Sequence, residues 1–273
     1  MRKQNGIPRI SIILLAGVVV ACCFAGVISP YNPAYMNLTQ IAQSPNETYF
    51  FGTDTLGRDI FSMIWYGGRI SLFIGVIATI ISTFIAVVYG CISGLGNKII
   101  DSALMRFTEI ILSIPNILLI IFIQAILGNP SPFSMAVVIG LTGWMTVAKV
   151  VRTEVSQIRN SEYILSAKSM GASFPYIMRK HLFPNFLPAI LFMVVMNIGS
   201  AIGLEASLSF LGLGLPVEVI SWGSMMALSE RALLSGYWWI ILVPGTFMIV
   251  TLVCVTNIGN YFRKKGNRQF GNL

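Results

Sequence analysis

Six apolar stretches, each near the length that crosses a bilayer, constrain this chain more than any other feature. They cover residues 10–28, 70–95, 105–127, 133–151, 187–213 and 237–261. About 20 consecutive apolar residues cross the hydrocarbon core as a helix. The stretches are continuous and do not alternate, so they predict helices and not barrel strands. The fold class expected is all-α: a polytopic membrane helix bundle of about six transmembrane helices, with both termini cytoplasmic. Composition agrees, at 55% hydrophobic, 10% charged and a mean hydropathy of +0.78, outside the soluble globular range.

A net charge of +8 is compatible with a nucleic-acid binder, but the placement of the charges argues against one. With the N-terminus inside and six alternating helices, only Arg58, Arg69 and Arg231 of the 18 Lys and Arg fall outside. That bias sets the orientation, and it directs the basic surface toward membrane lipid and acidic partners. Arg2 and Lys3 ahead of an apolar run give the N-terminus a signal-like character, and Cys22 ends a faint lipoprotein-type box. The apolar run continues past that box, so a retained first helix is expected. Cys22, Cys23, Cys91 and Cys254 lie within apolar runs without ligand spacing, and are read as buried small hydrophobes. Neither a disulfide nor a metal site is expected.

Three segments organise the chain: 1–69, the first helix and a Pro-rich outer loop; 70–262, the main transmembrane domain; and 263–273, a basic cytoplasmic tail read as disordered. Within the second, residues 152–186 form a large polar and basic inner segment. No phosphate-binding Gly-x-x-x-x-Gly-Lys-Ser/Thr loop occurs, so the chain is not expected to bind ATP. A single histidine, His181, and few carboxylates leave no material for a triad or a zinc site, so no catalytic residues are assigned.

The inner segment reads as two short helices. Ser161 is a candidate cap, and Glu162, Ile164, Ala167 and Lys168 follow at helical spacing. Gly171, next to Ala172, ends the first helix, where a left-handed residue costs least. Ser173 and Pro175 start the second helix, and Pro184 and Pro188 bracket the entry to the fifth span. The competing reading is an ordinary basic loop.

Ionisable and polar groups in apolar runs are expensive and face the bundle interior, a water-filled path or a hydrogen-bond partner. Glu109, Asn197, Glu205 and Ser207 are therefore candidates for a translocation path. For Glu109, pairing with Arg106 or contact with headgroups competes. Asp54, Arg58 and Asp59 are read first as a bridge that orients the outer loop, and second as a substrate contact. Pro115 is expected to kink the third span, and Gly199 with Gly203 to permit close helix packing. Trp222, Trp238 and Trp239 are read as interfacial anchors.

The spacing of Ala167, Gly171 and Pro184 resembles the "EAA" loop by which permease subunits of ABC importers dock onto their ATPases. Three further blocks carry a narrower resemblance. FGTDTLGRD at 51–59, followed by YGGRISL at 66–72, is similar to the segment before the second helix of the dipeptide, oligopeptide and nickel permeases. Asp101, Met105, Arg106 and SIP at 113–115 are similar to their third-helix block, and EASLSFLGLG at 205–214 with SWG at 221–223 to their fifth-helix exit. Departures are Leu165, Ser166, His181 and Phe183 in the loop, and NIGN at 257–260 where the family commonly ends in Gly-Asp.

The resemblance implies the second, "C-type" permease subunit of a binding-protein-dependent importer in the bacterial cytoplasmic (inner) membrane. It implies a homologous second permease, two cytoplasmic ATPase subunits that carry ATP and Mg, and an extracellular solute-binding protein. Di- and oligopeptides are the expected cargo, with nickel or another metal chelate as the alternative. A secondary transporter or channel acting alone would need corresponding broken helices in two halves, and no internal repeat is seen. An intramembrane enzyme lacks a nucleophile and base.

Overall fold

The second apolar run begins ten residues earlier than its composition suggests, because Asp59 caps it. In the computed structural model, Asp59 Oδ2 accepts from the Ser62 amide at 2.9 Å and from Ser62 Oγ at 2.6 Å. The helix it starts, α3 (Ile60–Leu95), has 36 residues, about 54 Å at 1.5 Å per residue. Gly67 and Gly68 look like turn residues, yet they sit inside α3, so the boundary expected at 69/70 falls within a helix. Their missing side chains make room for a neighbour: a Cβ on Gly68 would lie 2.8 Å from the Trp222 ring. The structure describes residues 7–159, 161–177, 179–180, 183–216, 218–228, 232 and 234–270.

Ahead of α3 come α1 (Arg9–Cys23) and a single turn, α2 (Ala25–Ile28). Arg69 reaches back from α3 to the end of α1, its Nε donating to Cys22 O at 2.5 Å and its Nη2 to Cys23 O at 2.6 Å. Both carbonyls lie in the last turn of α1, where a cation suits the negative end of the helix dipole.

Two of the expected spans are broken. The third is α4 (Lys98–Leu112) and α5 (Asn116–Leu127), whose axes meet at 85°. Pro115 between them offers no amide and holds the preceding residue away from helical geometry, so a break stands where a kink is expected. The fourth is α6 (Pro132–Thr142) and α7 (Met145–Arg159), bent by 44° at Gly143 and Trp144. Ser131 and Ser134 form a reciprocal cap at the start of α6.

The inner segment forms α8 (Glu162–Ser169) and α9 (Phe174–Ile177), and α10 (Phe183–Phe210) follows. A short α11 (Trp222–Ala227) precedes α12 (Trp239–Phe270), which carries Pro244 inside it. Residues 263–270, read from the sequence as a disordered tail, therefore continue α12. Basic residues near a helix C-terminus suit its dipole.

Among the described residues, the bundle thus has three unbroken helices long and apolar enough to cross a membrane, two broken ones and the shorter α1. No strand occurs among the described residues, and one isolated bridge joins Thr53 to Asp59. Helix α3 is central, packing on α6, α7 and α10, while α12 packs on α10 and α1. Its partner α7 runs parallel to it at close range. A Cβ on Gly90 would lie 2.7 Å from Ala148 O, and one on Gly94 2.8 Å from Arg152 O. The inner part of the core joins Ala86 of α3 and Val147, Val151 and Val155 of α7 to Ile164, Ile177 and Ile190.

Candidate functional site

That inner cluster seats the loop between α7 and α10. Ile164 of α8 and Ile177 of α9 are buried in it, and Ala172 packs against it. Helix α8 ends as its sequence predicts. Gly171 has φ +81°, the Met170 amide donates to Ser166 O at 3.0 Å, and the Ala172 amide donates to Ala167 O at 3.0 Å. This left-handed closure satisfies carbonyls that the last helical turn leaves open.

Burial divides the expected docking residues into two sets. Ala167 is buried and faces the bundle, whereas Glu162, Ser166, Ser169, Met170 and Gly171 are exposed. Met170, at the tip of the turn, is 82% exposed. Sequence reading passed over it because a methionine in a hydrophobic chain carries no signal of its own; its place just before Gly171 was the available clue. Ser161 does not cap α8 with its side chain: its Oγ donates back to Ile158 O at 2.6 Å. Helix α8 includes Lys168, but that side chain lies outside the described set, as does all of His181. Pro184 lies exposed in the first turn of α10.

The four path candidates do not converge. Glu205 is fully buried, and its two side-chain oxygens take three serine hydroxyls. Oε1 takes Ser221 Oγ at 2.7 Å and Ser209 Oγ at 3.0 Å, and Oε2 takes Ser71 Oγ at 3.2 Å. Ser71 Oγ in turn accepts the Trp222 amide at 3.1 Å. Glu205 thereby fastens α11 to α3 and α10 within this one chain. Asn197 Nδ2 donates to Ser82 Oγ at 3.2 Å, a second polar tie between α10 and α3. Ser207 is exposed and donates to Gly203 O at 2.8 Å. Glu109 is exposed near the inner end, 3.8 Å from Lys149 Nζ, so its basic neighbour is Lys149 and not Arg106. Ser207 and Glu109 remain open to an external face, while Glu205 and Asn197 are internal fasteners.

The outer cluster is a loop-orienting bridge. Arg58 and Asp54 are both buried, with Arg58 Nε 2.7 Å from Asp54 Oδ2. Asp54 Oδ1 also accepts the Leu56 and Arg58 amides at 2.8 Å each, which folds the turn on itself. Asp59, buried beside them, is the cap of α3.

Two tryptophans read as interfacial anchors are core groups instead. Trp222 is fully buried, with Nε1 donating to Ile64 O at 3.0 Å, and Trp239 donates to Thr53 O at 3.1 Å. Each indole N–H is satisfied by a backbone carbonyl, which lets the ring be buried. Trp238, 55% exposed, fits the anchor reading. Of the Gly199–Gly203 pair, only Gly199 approaches a neighbour; nothing lies within 4 Å of a Cβ on Gly203. Cys23 is exposed, against the burial expected. Among the described residues, no group of His, Cys, Asp and Glu has the arrangement to hold a metal ion.

Residues 86–266 match the family described as "Binding-protein-dependent transport system inner membrane component". The chain is 36% identical over 258 residues to the dipeptide transport system permease protein DppC of Bacillus subtilis, covering 94% of this chain and 80% of that one. It is 34% identical over 261 residues to the oligopeptide transport system permease protein OppC of the same organism, covering 96% and 85%. Its fold is similar to a chain of the MetNI methionine ABC transporter in an inward-facing conformation, with a TM-score of 0.57 and 18% identity over 77% of this chain and 95% of that one.

Proposed function

Because the chain belongs to the family of binding-protein-dependent transport system inner membrane components, we propose that it is the membrane-spanning subunit of an ATP-driven importer of di- and oligopeptides. The observation that carries the cargo is the identity with dipeptide and oligopeptide permeases over nearly the whole chain. The subunit is not itself an enzyme; ATP and Mg are bound and hydrolysed on two cytoplasmic ATPase subunits. A solute-binding protein delivers peptide to the outer mouth, and a homologous second permease completes the path in the bacterial inner membrane.

Helix α8 is the ATPase-docking element in this reading. Its buried side, Ile164 and Ala167, holds it to the bundle, and its exposed side, from Glu162 to Gly171, enters a groove on the ATPase. Closure of the ATPases on nucleotide pushes this helix and shifts the permease pair between inward-open and outward-open states. Of the path candidates, Ser207, exposed on α10, is retained in this reading.

Cells lacking the gene, with and without its restoration, test the cargo by uptake of labelled dipeptide, oligopeptide and nickel. Peptide uptake lost and restored supports the proposal, and loss of nickel uptake alone overturns it. For docking, Gly171→Asp is expected to abolish uptake while membrane insertion stays normal; normal uptake by that variant refutes the role of α8.

A further inference from the structure

Two arginines on one face of α7 tie it to the inner ends of α3 and α4. Arg152 and Arg159 are seven residues apart, two turns along the same side of the helix. Arg152 Nε donates to Asp101 Oδ1 at 2.9 Å, and its Nη2 to Asp101 Oδ2, a two-pronged pairing. Asp101 Oδ1 also accepts from Ser93 Oγ of α3 at 2.6 Å, so one carboxylate joins three helices. Arg159 Nη1 donates to Leu95 O at 2.7 Å and Gly96 O at 2.9 Å, where α3 ends. Those carbonyls have no donor of their own, and they sit at the negative end of the helix.

Between Arg159 and Glu162 of α8 lies a two-residue link, and Ser161 is bonded back to Ile158 O through both its amide, at 3.0 Å, and its hydroxyl. A displacement of α8 therefore enters α7 beside Arg159. The Gly90 and Gly94 contacts already bring the two backbones together, and the core cluster packs around them. The guanidinium pairs are partly exposed, Arg152 at 35%, a setting in which an ion pair adds little to stability. Their contribution is directional: they stop α7 from sliding or turning against α3.

We propose that Arg152 and Arg159 are positioning residues for energy coupling, holding α7 and α3 as one body so that a push on α8 reaches the bundle. This rests on the reading of α8 as the ATPase-docking helix. Without the two clamps, α8 yields locally and ATP is hydrolysed without transport.

The test uses the complete importer, with both permeases, both ATPases and the binding protein, reconstituted in liposomes. Uptake of a labelled dipeptide and ATP hydrolysis are measured on the same vesicles. Asp101→Arg and Arg152→Asp are each expected to lower peptide moved per ATP about tenfold, and the double reversal Asp101→Arg with Arg152→Asp to recover most of that ratio. Arg159→Gln is expected to lower the ratio similarly, and Arg159→Lys less. Where a reversal yields no assembled complex, Arg152→Gln removes the charge without inverting it and gives the same two readouts. An unchanged ratio in Arg152→Gln and Arg159→Gln, or uptake and hydrolysis falling in proportion, overturns the proposal. Gly171→Asp in the same vesicles separates the premise. If it couples normally, the docking reading fails; if it abolishes uptake while the arginine variants keep the ratio, only the clamp fails.

Discussion

Polar side chains of the outer cluster and of α8 are used in opposite ways. At the outer end they turn inward: Asp54, Arg58, Asp59, Glu205, Ser71 and Ser221 are all buried, and their bonds run to one another and to backbone. At the inner end Glu162, Ser166 and Ser169 are exposed on α8, while apolar Ile164 and Ile177 hold the segment down. The first set is closed on itself, and the second faces outward. Polarity in the sequence marks both ends equally; only burial separates structural fastening from contact with another subunit.

The largest effect that would break this contrast is at Glu205. Glu205→Ala leaves three serine hydroxyls without their acceptor in a closed site and is expected to cost about 3 kcal/mol. Thermal unfolding of the purified subunit and its accumulation in the membrane report this, and Glu205→Gln is expected to lose far less. A full-length, stable Glu205→Ala subunit that fails only in uptake would return Glu205 to the path. Next is Gly90→Val, whose branched side chain must displace Ala148 O and Val151; about 2 kcal/mol of overpacking is expected, read as a lowered melting temperature. Gly203→Val, with open space around it, is expected to leave the melting temperature of the isolated subunit unchanged.

At the inner end, Gly171→Ala places a side chain at φ +81°, at a local cost of about 1 kcal/mol. Uptake is expected to fall severalfold with normal insertion and a melting temperature lowered by about a few degrees at most. A small effect is expected at Glu109, exposed and 3.8 Å from Lys149. Glu109→Gln is expected to change stability by less than about 1 kcal/mol and uptake by less than about twofold.

The sequence made local chemistry legible. Gly171 closes α8 as expected because a left-handed turn is a property of one residue and its immediate neighbours. The Asp54–Arg58 bridge was legible for the same reason, the partners being four residues apart. Long-range placement was not legible. Gly67 and Gly68 punctuate a sequence but pack a helix here, because Ile220, Ser221 and Trp222, more than 150 positions away, come against them. Glu205 looked like a path residue because its three hydroxyl partners include Ser71, on a different helix. Pro115 announced a distortion, but not that the chain would turn by 85° there. Arg152 and Arg159 read as two more positive charges on the inner side, since neither Asp101 nor the end of α3 is near them in sequence.

Helix α3 has one further consequence. At about 54 Å it is nearly twice the thickness of the hydrocarbon core, and it is unbroken from its cap at Asp59 to Leu95. A rigid rod of that length pivoting near its middle by about 10° carries each end through roughly 5 Å, in opposite directions. Its lower tip is held by Arg159 and its upper half carries Trp222 through Ser71 and Ile64. A small rotation beneath the membrane therefore arrives at the far surface as a side-chain-sized swing of α11, with no message relayed through the residues between.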